Sequence, residues 1–251
     1  MDSKEALSIS REVAKRVKKA VNSIEISKRN LNVGMGKDGT PTKLVDRVAE
    51  EAAFEVLKRE RVTIVSEEAG VVGEGDVVVA LDPLDGTFNA TRGIPIYSVS
   101  LCFSDSFKLK DTFFGYVYNL ATSTEYYADV SAYKNGSSIR VSDNDSLYCN
   151  AIVYYPKGLH PFKRIRVFGS AALEVCFVAD GSFDCFIDVR GHLRVYDISA
   201  GVYIAERAGA VVSDDRGMSI KDKKIDMEER FKIVVANKNL HKKLIDTVVK
   251  R

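Results

Sequence analysis

Residues 77–87 read Val-Val-Val-Ala-Leu-Asp-Pro-Leu-Asp-Gly-Thr, an apolar run that ends in two carboxylates. The β-branched run predicts a buried strand, and Asp-Pro and Asp-Gly are typical of the turn that follows it. Because Asp82 and Asp85 lie three positions apart, a turn can direct both carboxylates at one point, with the Leu84 carbonyl between them. Hard oxygen donors of this kind are the ligands that Mg²⁺ prefers in proteins. The segment therefore predicts a magnesium site at a strand end.

The backbone of the same turn offers a second function. Gly86 lets a ligand approach the main chain closely, and the outward-facing N–H groups of Gly86 and Thr87 could hold a phosphate oxygen. Taken alone, the segment is equally consistent with an acidic turn that has no catalytic role. A second acidic strand end, Thr63-Ile64-Val65-Ser66-Glu67-Glu68, favours the metal site. Adjacent carboxylates repel one another unless solvent or a cation neutralises them.

Two further carboxylates have two interpretations each. Asp197 lies in Arg194-Val195-Tyr196-Asp197-Ile198-Ser199-Ala200-Gly201, just before a helix expected over residues 198–208. It could cap that helix, and a carboxylate there could also face a metal. Asp46 lies in the first turns of a helix expected over residues 42–57, where an acid compensates the helix dipole.

The spacing of apolar residues places the other elements. Residues 31–41 are expected to form a mobile loop, with Thr40 as N-cap and Pro41 as the first residue of the next helix. Asn135-Gly136 is a hairpin signal inside a meander of three or four antiparallel strands over residues 95–141. Helices are expected over residues 4–21, 42–57, 171–179, 198–208 and 240–250, and strands over residues 62–65, 77–81, 151–155, 165–168, 183–188 and 232–236.

A polar stretch near residues 142–147 suggests a boundary between two α+β halves. We expect residues 1–145 to carry the mobile loop and most of the metal-binding carboxylates. Residues 146–251, where strands and helices alternate, would complete the site.

Composition excludes several classes of protein. The 251 residues are 45% apolar and 29% charged, which is an ordinary globular balance. No stretch approaches the roughly 20 consecutive apolar residues of a membrane span, and the first residues lack the pattern of a signal peptide. We therefore expect a cytoplasmic protein without a membrane partner. The net charge is only +2 and acidic residues flank the basic clusters, so no nucleic-acid partner is expected.

The four cysteines form no Cys-x-x-Cys pair, which argues against a zinc site or a thioredoxin-type motif. Each stands among apolar neighbours, and this predicts buried thiols. A bridge between Cys149 and Cys185 stays open as an alternative, because disulfide connectivity cannot be read from a sequence.

Two familiar phosphate-binding patterns do not apply. Residues 34–39 match Gly-x-Gly-x-x-Gly, but no strand precedes them, and Lys37 is followed by Asp38 rather than by the Ser or Thr of a P-loop. Asp-x-x-Asp-Gly-Thr is also close to the motif of the haloacid dehalogenase phosphatases, whose two aspartates stand two positions apart. Leu84 occupies the place of that family's general acid, so an aspartyl-phosphate mechanism is disfavoured.

Together these segments resemble the inositol monophosphatase superfamily of metal-dependent, lithium-sensitive phosphatases. Residues 82–89, followed by residues 93–95, are similar to its first signature, and residues 66–68 are similar to its upstream acidic pair. Residues 196–201, continuing to residues 206–209, are similar to its second signature. The order and spacing agree over nearly the whole chain.

Three departures from the family pattern leave the predicted ligands in place. Tyr196 stands where Trp is frequent, and Ser199 stands where Ala is frequent. Residues 89–93 read Asn-Ala-Thr-Arg-Gly instead of the usual Asn-Phe-Val-His-Gly, which bears only on substrate-side details.

The resemblance implies an α+β fold, a layered α/β/α/β/α sandwich of the sugar-phosphatase type, and usually a homodimer. It implies two or three Mg²⁺ ions per site, with Mn²⁺ as an alternative. One ion would be held by Glu67, Asp82 and the Leu84 carbonyl. A second would be held by Asp82, Asp85 and Asp197.

The resemblance also implies roles around these ligands. Glu68 would support the site from close by. Thr87 would position the metal-bound water together with the first ion's glutamate, and Asp46 would assist. Lys37 or Asp38, on the mobile loop, would approach a third and weaker ion.

The substrate-binding residues are expected to be Tyr155, Arg164, Arg166, Ser170, Ala171 and Arg190. Arg164 or Arg166 could grip a second phosphate bidentately, or could belong to a basic strand edge. The resemblance is greatest to archaeal members that act on inositol 1-phosphate and fructose 1,6-bisphosphate, and this is the expected activity. Two alternatives are a phosphatase acting on 3′-phosphoadenosine 5′-phosphate and a non-catalytic regulator that keeps the fold.

Overall fold

The computed structural model describes residues 1–37, 41–156 and 160–249. The helices in these ranges are α1 (Ser3–Asn22), α2 (Ile26–Arg29), α3 (Leu44–Leu57), α4 (Thr87–Arg92), α5 (Ala171–Ala179), α6 (Val195–Arg207) and α7 (Lys238–Leu244), and a π-helical turn, Ile245–Val249, follows α7. Among the described helices, none combines the length and the apolar character needed to cross a membrane.

The described strands of the N-terminal part are β1 (Asn32–Met35), β2 (Pro41–Lys43), β3 (Val62–Ser66), β4 (Gly70–Val72), β5 (Val77–Asp85), β6 (Ser98–Ser104), β7 (Thr112–Asn119), β8 (Glu125–Ala128), β9 (Ala132–Lys134) and β10 (Ser137–Ser138). Those of the C-terminal part are β11 (Asn150–Val153), β12 (Arg164–Arg166), β13 (Cys185–Leu193), β14 (Ala210–Ser213) and β15 (Phe231–Asn237).

The strands join into two large sheets and one hairpin. The eight-stranded sheet has the order β10-β9-β8-β7-β6-β5-β3-β4, in which only β3 and β5 are parallel neighbours among the described strands. The five-stranded sheet has the order β12-β11-β13-β15-β14, with parallel pairing from β12 to β13 and antiparallel pairing beyond. β1 and β2 form the hairpin.

Three apolar clusters define the layers. Helices α1 and α3 cover one face of the eight-stranded sheet, where Leu57 and Phe103 share a cluster. Helices α5 and α6 fill the space between the two sheets, with Ile198 in the central cluster. Helix α7 covers the outer face of the five-stranded sheet, where Leu240 joins Val234. The order α/β/α/β/α confirms the predicted layered sandwich.

Strand β5 explains why the acidic turn faces the central layer. Successive side chains of a strand point to opposite faces of the sheet. Val79 and Leu81 belong to the cluster with α1 and α3, whereas Val78 and Ala80 belong to the cluster with α5 and α6. Asp82 follows Ala80 by two positions and is only 3% exposed. The carboxylate therefore lies between the two sheets rather than on the outer surface.

Two predicted helix starts need correction. Helix α3 begins at Leu44, so Pro41 is not its first residue. Pro41 belongs instead to β2, because it pairs with Met35 in the hairpin, and Thr40 lies outside the described residues. Helix α6 begins at Val195, before the predicted start at residue 198.

The loop predicted over residues 31–41 is partly a regular hairpin. Residues 32–35 and 41–43 form antiparallel strands, and Lys37 follows the first of them as an exposed residue. The predicted position of Asp38 lies outside the described residues. The described part of the loop is therefore an ordered β-structure rather than an irregular connection.

The predicted meander contains five strands, β6 to β10, rather than three or four. Its hairpin signal is confirmed, because Asn135 and Gly136 both have positive φ angles, 48° and 79°, between β9 and β10. Several of the short elements were not predicted, among them α2, α4, β4 and β14, each of six residues or fewer. Such short segments contain too few residues to show a hydrophobic period.

The prediction of buried thiols is confirmed for all four cysteines, which are free. Cys149, the residue before β11, and Cys185, the first residue of β13, share one apolar cluster, and the Cys149 side chain together with burial raises the pKa of the Cys185 thiol. The alternative of a bridge between them is not realised in this structure.

Candidate active site

A β-bulge aligns the two aspartates of the central turn. In a regular strand, residues three positions apart lie on opposite faces. Here the pairing of β5 with β6 shifts, so that Asp82 lies opposite Ser100 and Asp85 lies opposite Ser98. Three steps along β5 thus match two steps along β6, which leaves one extra residue in β5, and both carboxylates point to the same side.

Gly86 ends the bulge and begins the short helix α4. Its φ of 94° lies in the left-handed region, which favours glycine. A Cβ atom at this position would lie 3.0 Å from the carbonyl oxygen of Ile96 and 3.1 Å from that of Gly169. The tight packing leaves room only for glycine, so the backbone of Gly86 and Thr87 forms part of the cavity wall.

Asp85 is held by the start of helix α5. The Ser170 hydroxyl donates a hydrogen bond to its carboxylate at 2.5 Å, and the backbone N–H groups of Ala172 and Ala171 donate at 2.9 and 3.2 Å. The Ser98 hydroxyl adds a longer bond of 3.4 Å. Ser170 and Ala171 were predicted to contact substrate. The polar groups of both residues instead bind Asp85, although Ala171 also lines the cavity.

Asp46 and Thr87 meet although they belong to different helices. The Thr87 hydroxyl donates to Asp46 at 2.7 Å and lies 3.2 Å from the Leu84 carbonyl oxygen. Asp46 also accepts the N–H of Lys43 at 3.3 Å, so it closes the first turn of α3 as well as contacting the site. Burial is the main cause that raises its pKa to about 6.

Glu68 contacts the hairpin rather than the cavity. Its carboxylate accepts a hydrogen bond from the Thr42 hydroxyl, and its backbone carbonyl accepts the N–H of Lys37 at 3.1 Å. Its charge also raises the pKa of Asp46. The structure therefore places both Glu68 and Lys37 at the edge of the site.

Asp197 occupies the first turn of α6 as its third residue. Arg194 is the N-cap residue, and its backbone N–H donates to the Asp197 carboxylate at 2.7 Å. The interpretation of Asp197 as the N-cap itself is therefore wrong. The same carboxylate lines the cavity, which was its second interpretation.

These groups surround one open cavity of about 290 Å³. Its acidic wall consists of Glu67, Asp82, Asp85 and Asp197, joined by Leu84. Its other wall consists of Phe88, Tyr154, Gly169, Ala171 and Leu193. Three segments that are far apart in sequence thus bring four carboxylates together.

Three carboxyl groups of this cavity, those of Asp82, Asp85 and Asp197, have raised pKa values. Burial raises the pKa of Asp82 well above its ordinary range, and the charges of Asp85, Glu67 and Asp197 raise it further. Burial also raises the pKa of Asp85 to about 6, although its four hydrogen bonds oppose the shift. The pKa of Asp197 rises to about 7 for the same main reason, while the N–H of Arg194 lowers it. Uncompensated carboxylates at close quarters are what a bound cation would stabilise.

The donor set fits a hard divalent cation. Carboxylate oxygens and one backbone carbonyl are the ligand types that Mg²⁺ binds, and no sulfur or imidazole donor lines the cavity among the described residues. Within the same ranges, no three acidic, histidine or cysteine side chains form a finished cage around one point.

The predicted arginines divide into two groups. Arg164 and Arg166 lie on the exposed edge strand β12, where they donate to the Asn150 side chain at 3.3 Å and to the Ile165 carbonyl at 2.7 Å. Neither belongs to the residues that line the cavity. Arg190 instead reaches the cavity wall, because its guanidinium carbon lies 4.2 Å from the centre of the Tyr154 ring.

Tyr154 lines the cavity, whereas the predicted Tyr155 is 77% exposed beside it. Tyr155 has a positive φ of 48°, and its ring centre lies 5.3 Å from the Arg190 guanidinium carbon. Strand alternation could have distinguished them, because Tyr154 follows Ile152, which faces the central layer. The sequence alone did not indicate that the site would lie on that face.

Comparison with known proteins identifies the family. Residues 2–251 match the inositol monophosphatase family. The chain belongs to this family. A family member from Archaeoglobus fulgidus, named fructose-1,6-bisphosphatase/inositol-1-monophosphatase, is 65% identical over 251 residues, covering 99% of this chain and all of the relative.

Other relatives carry related names. A bifunctional NADP phosphatase/NAD kinase from Methanococcus maripaludis is 34% identical over 96% of this chain, which spans only 48% of that relative. A solved inositol monophosphatase–fructose 1,6-bisphosphatase superimposes with a TM-score of 0.84 at 32% identity, covering 95% of this chain and 96% of that one. A Pyrococcus horikoshii protein with similarities to inositol-1 monophosphatase gives a TM-score of 0.83 at 30% identity, over 98% and 97% of the two chains. These similarities agree with a phosphatase fold over the whole chain.

Proposed function

We propose that this chain is a magnesium-dependent phosphatase that hydrolyses inositol 1-phosphate and fructose 1,6-bisphosphate. The observation that carries the proposal is the single cavity in which Glu67, Asp82, Asp85 and Asp197 meet. The 65% identical relative, named for both activities, supports the choice of substrates. Water would attack the phosphorus directly, because no covalent nucleophile is needed where a metal activates water.

The proposed metal ligands are divided between two ions. Glu67, Asp82 and the Leu84 carbonyl would hold one ion, and Asp82, Asp85 and Asp197 would hold the other. Bound Mg²⁺, or Mn²⁺ in its place, would lower the pKa of a coordinated water and neutralise the leaving alkoxide. One Asp82 oxygen accepts the Leu84 N–H at 2.9 Å, and lone pairs on both carboxylate oxygens remain available to a cation. A third ion would lie towards Lys37 and Asp38.

Thr87 and Asp46 would orient the attacking water together with Glu67. Because the Thr87 hydroxyl donates a hydrogen bond to Asp46 at 2.7 Å, its oxygen lone pairs stay available to accept a hydrogen bond from the water. The N–H groups of Gly86 and Thr87 would hold a phosphate oxygen beside it. Each residue thereby has a distinct part in aligning the reaction.

The alcohol part of the substrate would lie against the wall formed by Tyr154, Gly169, Ala171 and Leu193. Arg190 is the guanidinium placed best for a second phosphate, because it stacks on Tyr154 at that wall. Arg164 and Arg166 lie farther out on the edge strand, so their predicted contact with the second phosphate would need a larger substrate or a side-chain movement.

A second candidate activity is removal of the 2′-phosphate of NADP. Two relatives, 34% and 31% identical to this chain over the aligned residues, are named bifunctional NADP phosphatase/NAD kinase. Exposed aromatic rings flank the cavity, with Phe88 62% and Tyr155 77% exposed, and such rings can stack on nucleotide bases. Turnover of 3′-phosphoadenosine 5′-phosphate would test the same feature.

We propose that the protein acts as a homodimer. Ile26 and Ile94 are exposed apolar residues, and the tip of Ile26 lies next to Gly93 at the end of α4. Burying exposed apolar side chains of this kind in an interface stabilises the association of two subunits. A molar mass near twice that of the chain in light scattering would support the dimer, and Ile94→Lys would be expected to weaken it.

Phosphate release from four esters tests the function: inositol 1-phosphate, fructose 1,6-bisphosphate, NADP and 3′-phosphoadenosine 5′-phosphate. Each is assayed with Mg²⁺, with EDTA and with added Li⁺. We expect release from the first two only with Mg²⁺, and inhibition by Li⁺. Absence of release from every ester at millimolar Mg²⁺ would favour the non-catalytic regulator, and dominant release from a nucleotide would reassign the substrate.

A further inference from the structure

Glu174 is a fully buried carboxylate in the first turn of α5 that the proposed metal and water chemistry does not use. Within the described residues, three donors point at it. The backbone N–H groups of Phe168 and Gly169 bind one oxygen, the latter at 3.1 Å, and the Tyr154 hydroxyl binds the other at 2.7 Å. Burying a carboxylate costs free energy unless hydrogen bonds compensate for the lost solvation. The three contacts therefore hold Glu174 and its hydrogen-bond partners in a fixed arrangement.

The first oxygen of Glu174 holds the segment that binds Asp85. Phe168 and Gly169 immediately precede Ser170, whose hydroxyl binds the Asp85 carboxylate at 2.5 Å. The Phe168 carbonyl also accepts the Asn89 side chain at 2.6 Å, which joins the same segment to α4. One oxygen of Glu174 therefore holds the segment that carries a donor to Asp85 and that also contributes Gly169 to the cavity lining.

The second oxygen of Glu174 holds the opposite wall. Tyr154 lines the cavity, and its ring supports the guanidinium of Arg190 at 4.2 Å. Arg190 is oriented in turn by the fully buried Asp188 through an ion pair of 2.5 Å. The Tyr154 hydroxyl is therefore the link between Glu174 and the side chains proposed to contact the alcohol.

We propose that Glu174 is a positioning residue that sets the separation between the metal-binding side and the alcohol side of the cavity. It acts through the backbone of residues 168–169 in one direction and through Tyr154 in the other. This inference rests on the proposed phosphatase function. A misplacement of about 1 Å between reacting groups can reduce a rate by about 100-fold, so a fixed junction of this kind has a direct kinetic effect.

Helix α5 provides a matched control at its other end. The buried Tyr126 hydroxyl donates to the buried carboxylate of Asp180 at 2.9 Å, just after the helix ends. Neither residue lines the cavity. Tyr126→Phe and Tyr154→Phe thus remove the same kind of hydrogen bond from the two ends of one helix.

The test compares Tyr154→Phe, Glu174→Met, their double variant and Tyr126→Phe. We expect Tyr154→Phe and Glu174→Met each to lower kcat/KM for inositol 1-phosphate about 10-fold or more. The double variant should lose no more than the worse single variant, because both remove one link. Tyr126→Phe should lower the melting temperature while kcat/KM stays within about twofold. The dissociation constant of Mn²⁺, measured by calorimetry, should stay within about twofold in Tyr154→Phe and Tyr126→Phe, which keep the Glu174 carboxylate.

Two results would overturn the inference: Tyr154→Phe with the same kcat/KM as Tyr126→Phe, or fully additive losses in the double variant. Glu174→Gln keeps an acceptor for the backbone N–H groups and a partner for Tyr154, so it should recover most of the activity that Glu174→Met loses. If Glu174→Met does not fold, the comparison of the two tyrosine variants decides. A wild-type protein that releases no phosphate contradicts the proposed function itself, whereas normal wild-type turnover with unchanged Tyr154→Phe turnover contradicts only the role of Glu174.

Discussion

The Thr87 hydroxyl donates a hydrogen bond of 2.7 Å to the carboxylate of Asp46, which lies 41 residues earlier in the chain. This bond joins the central acidic turn to the first turn of α3. It also fixes the direction from which the Thr87 oxygen can accept a hydrogen bond. The pair is therefore a direct link between the fold and the proposed orientation of water.

Replacing Thr87 should slow the reaction without removing the metals. We expect Thr87→Ala to lower kcat by about 100-fold, because a group that orients a proton transfer contributes on this scale. Thr87→Ser keeps the hydroxyl and should retain most of the activity. Steady-state kinetics at saturating Mg²⁺ would measure both variants. Equal activity of the Ala and Ser variants would show that the hydroxyl has no part in the reaction.

Asp82→Asn should abolish activity while the protein stays folded. In EDTA, the variant should melt no lower than the wild type, because it removes a buried charge that Asp85 and Glu67 oppose. Mg²⁺ should raise the melting temperature of the wild type only, since binding at 100 times the dissociation constant stabilises a fold by about 2.7 kcal/mol. Calorimetric melting with and without Mg²⁺ would measure this. Full activity of Asp82→Asn would falsify the metal assignment.

Stability in EDTA should fall as the pH rises through 6 to 7. Burial raises the pKa of Asp46 and Asp85 to about 6 and that of Asp197 to about 7, from an ordinary value of 3.8. Carboxyls with raised pKa values in the folded state stabilise the fold fully below the unfolded pKa, and this contribution is lost as they ionise. Urea unfolding between pH 4 and pH 8 would measure the slope. A stability that rises over this whole range would contradict the raised pKa values.

The apparent affinity for Mg²⁺ should increase as the pH rises, whereas the stability in EDTA should decrease. Protons compete with the cation for Asp85 and Asp197, so affinity should increase by about 10-fold or more between pH 5.5 and pH 7.5. Titration calorimetry in buffers with different ionisation enthalpies would also count the protons released. Binding that releases no protons over this range would show that the ligands are already ionised.

Arg190→Ala should lower kcat/KM for fructose 1,6-bisphosphate more than kcat/KM for inositol 1-phosphate. We expect a loss in kcat/KM of about 10-fold or more for the bisphosphate, since a charge-assisted bidentate contact is worth roughly 1.5–3 kcal/mol. Arg164→Ala and Arg166→Ala serve as controls on the exposed edge strand and should have smaller effects. Equal losses for the two substrates in Arg190→Ala would remove Arg190 from the second-phosphate site.

Local patterns in the sequence predicted the central strand and its carboxylates, whereas the layered arrangement was implied by the family resemblance. The continuous β-branched run of residues 77–81 identified β5, and the spacing of Asp82 and Asp85 indicated a shared direction. The bulge that produces this direction depends on pairing with Ser98 and Ser100, which no local pattern reveals. The other differences between the predicted and the observed structure also arise from contacts between segments that are distant in the sequence.

The contact between Ser170 and Asp85 is one such case. The helix expected over residues 171–179 placed Ser170 at a helix start. Its hydrogen-bond partner, Asp85, lies 85 residues away in the chain. The choice between Tyr154 and Tyr155 likewise depends on which face of the five-stranded sheet meets the central helices. Contacts between distant segments therefore decide the substrate side, whereas short-range spacing decides the metal side.

The hydrogen bonds that α5 gives to Asp85 also determine when the cavity can exist during synthesis. A nascent chain that ends before residue 170 already contains Glu67, Asp82 and Asp85, yet it lacks the donors that orient Asp85 and it lacks Asp197. The incomplete chain therefore cannot assemble the full coordination sphere. If these carboxylates bind the proposed cations, metal binding would follow the folding of the C-terminal half, and we expect the N-terminal half alone to be inactive.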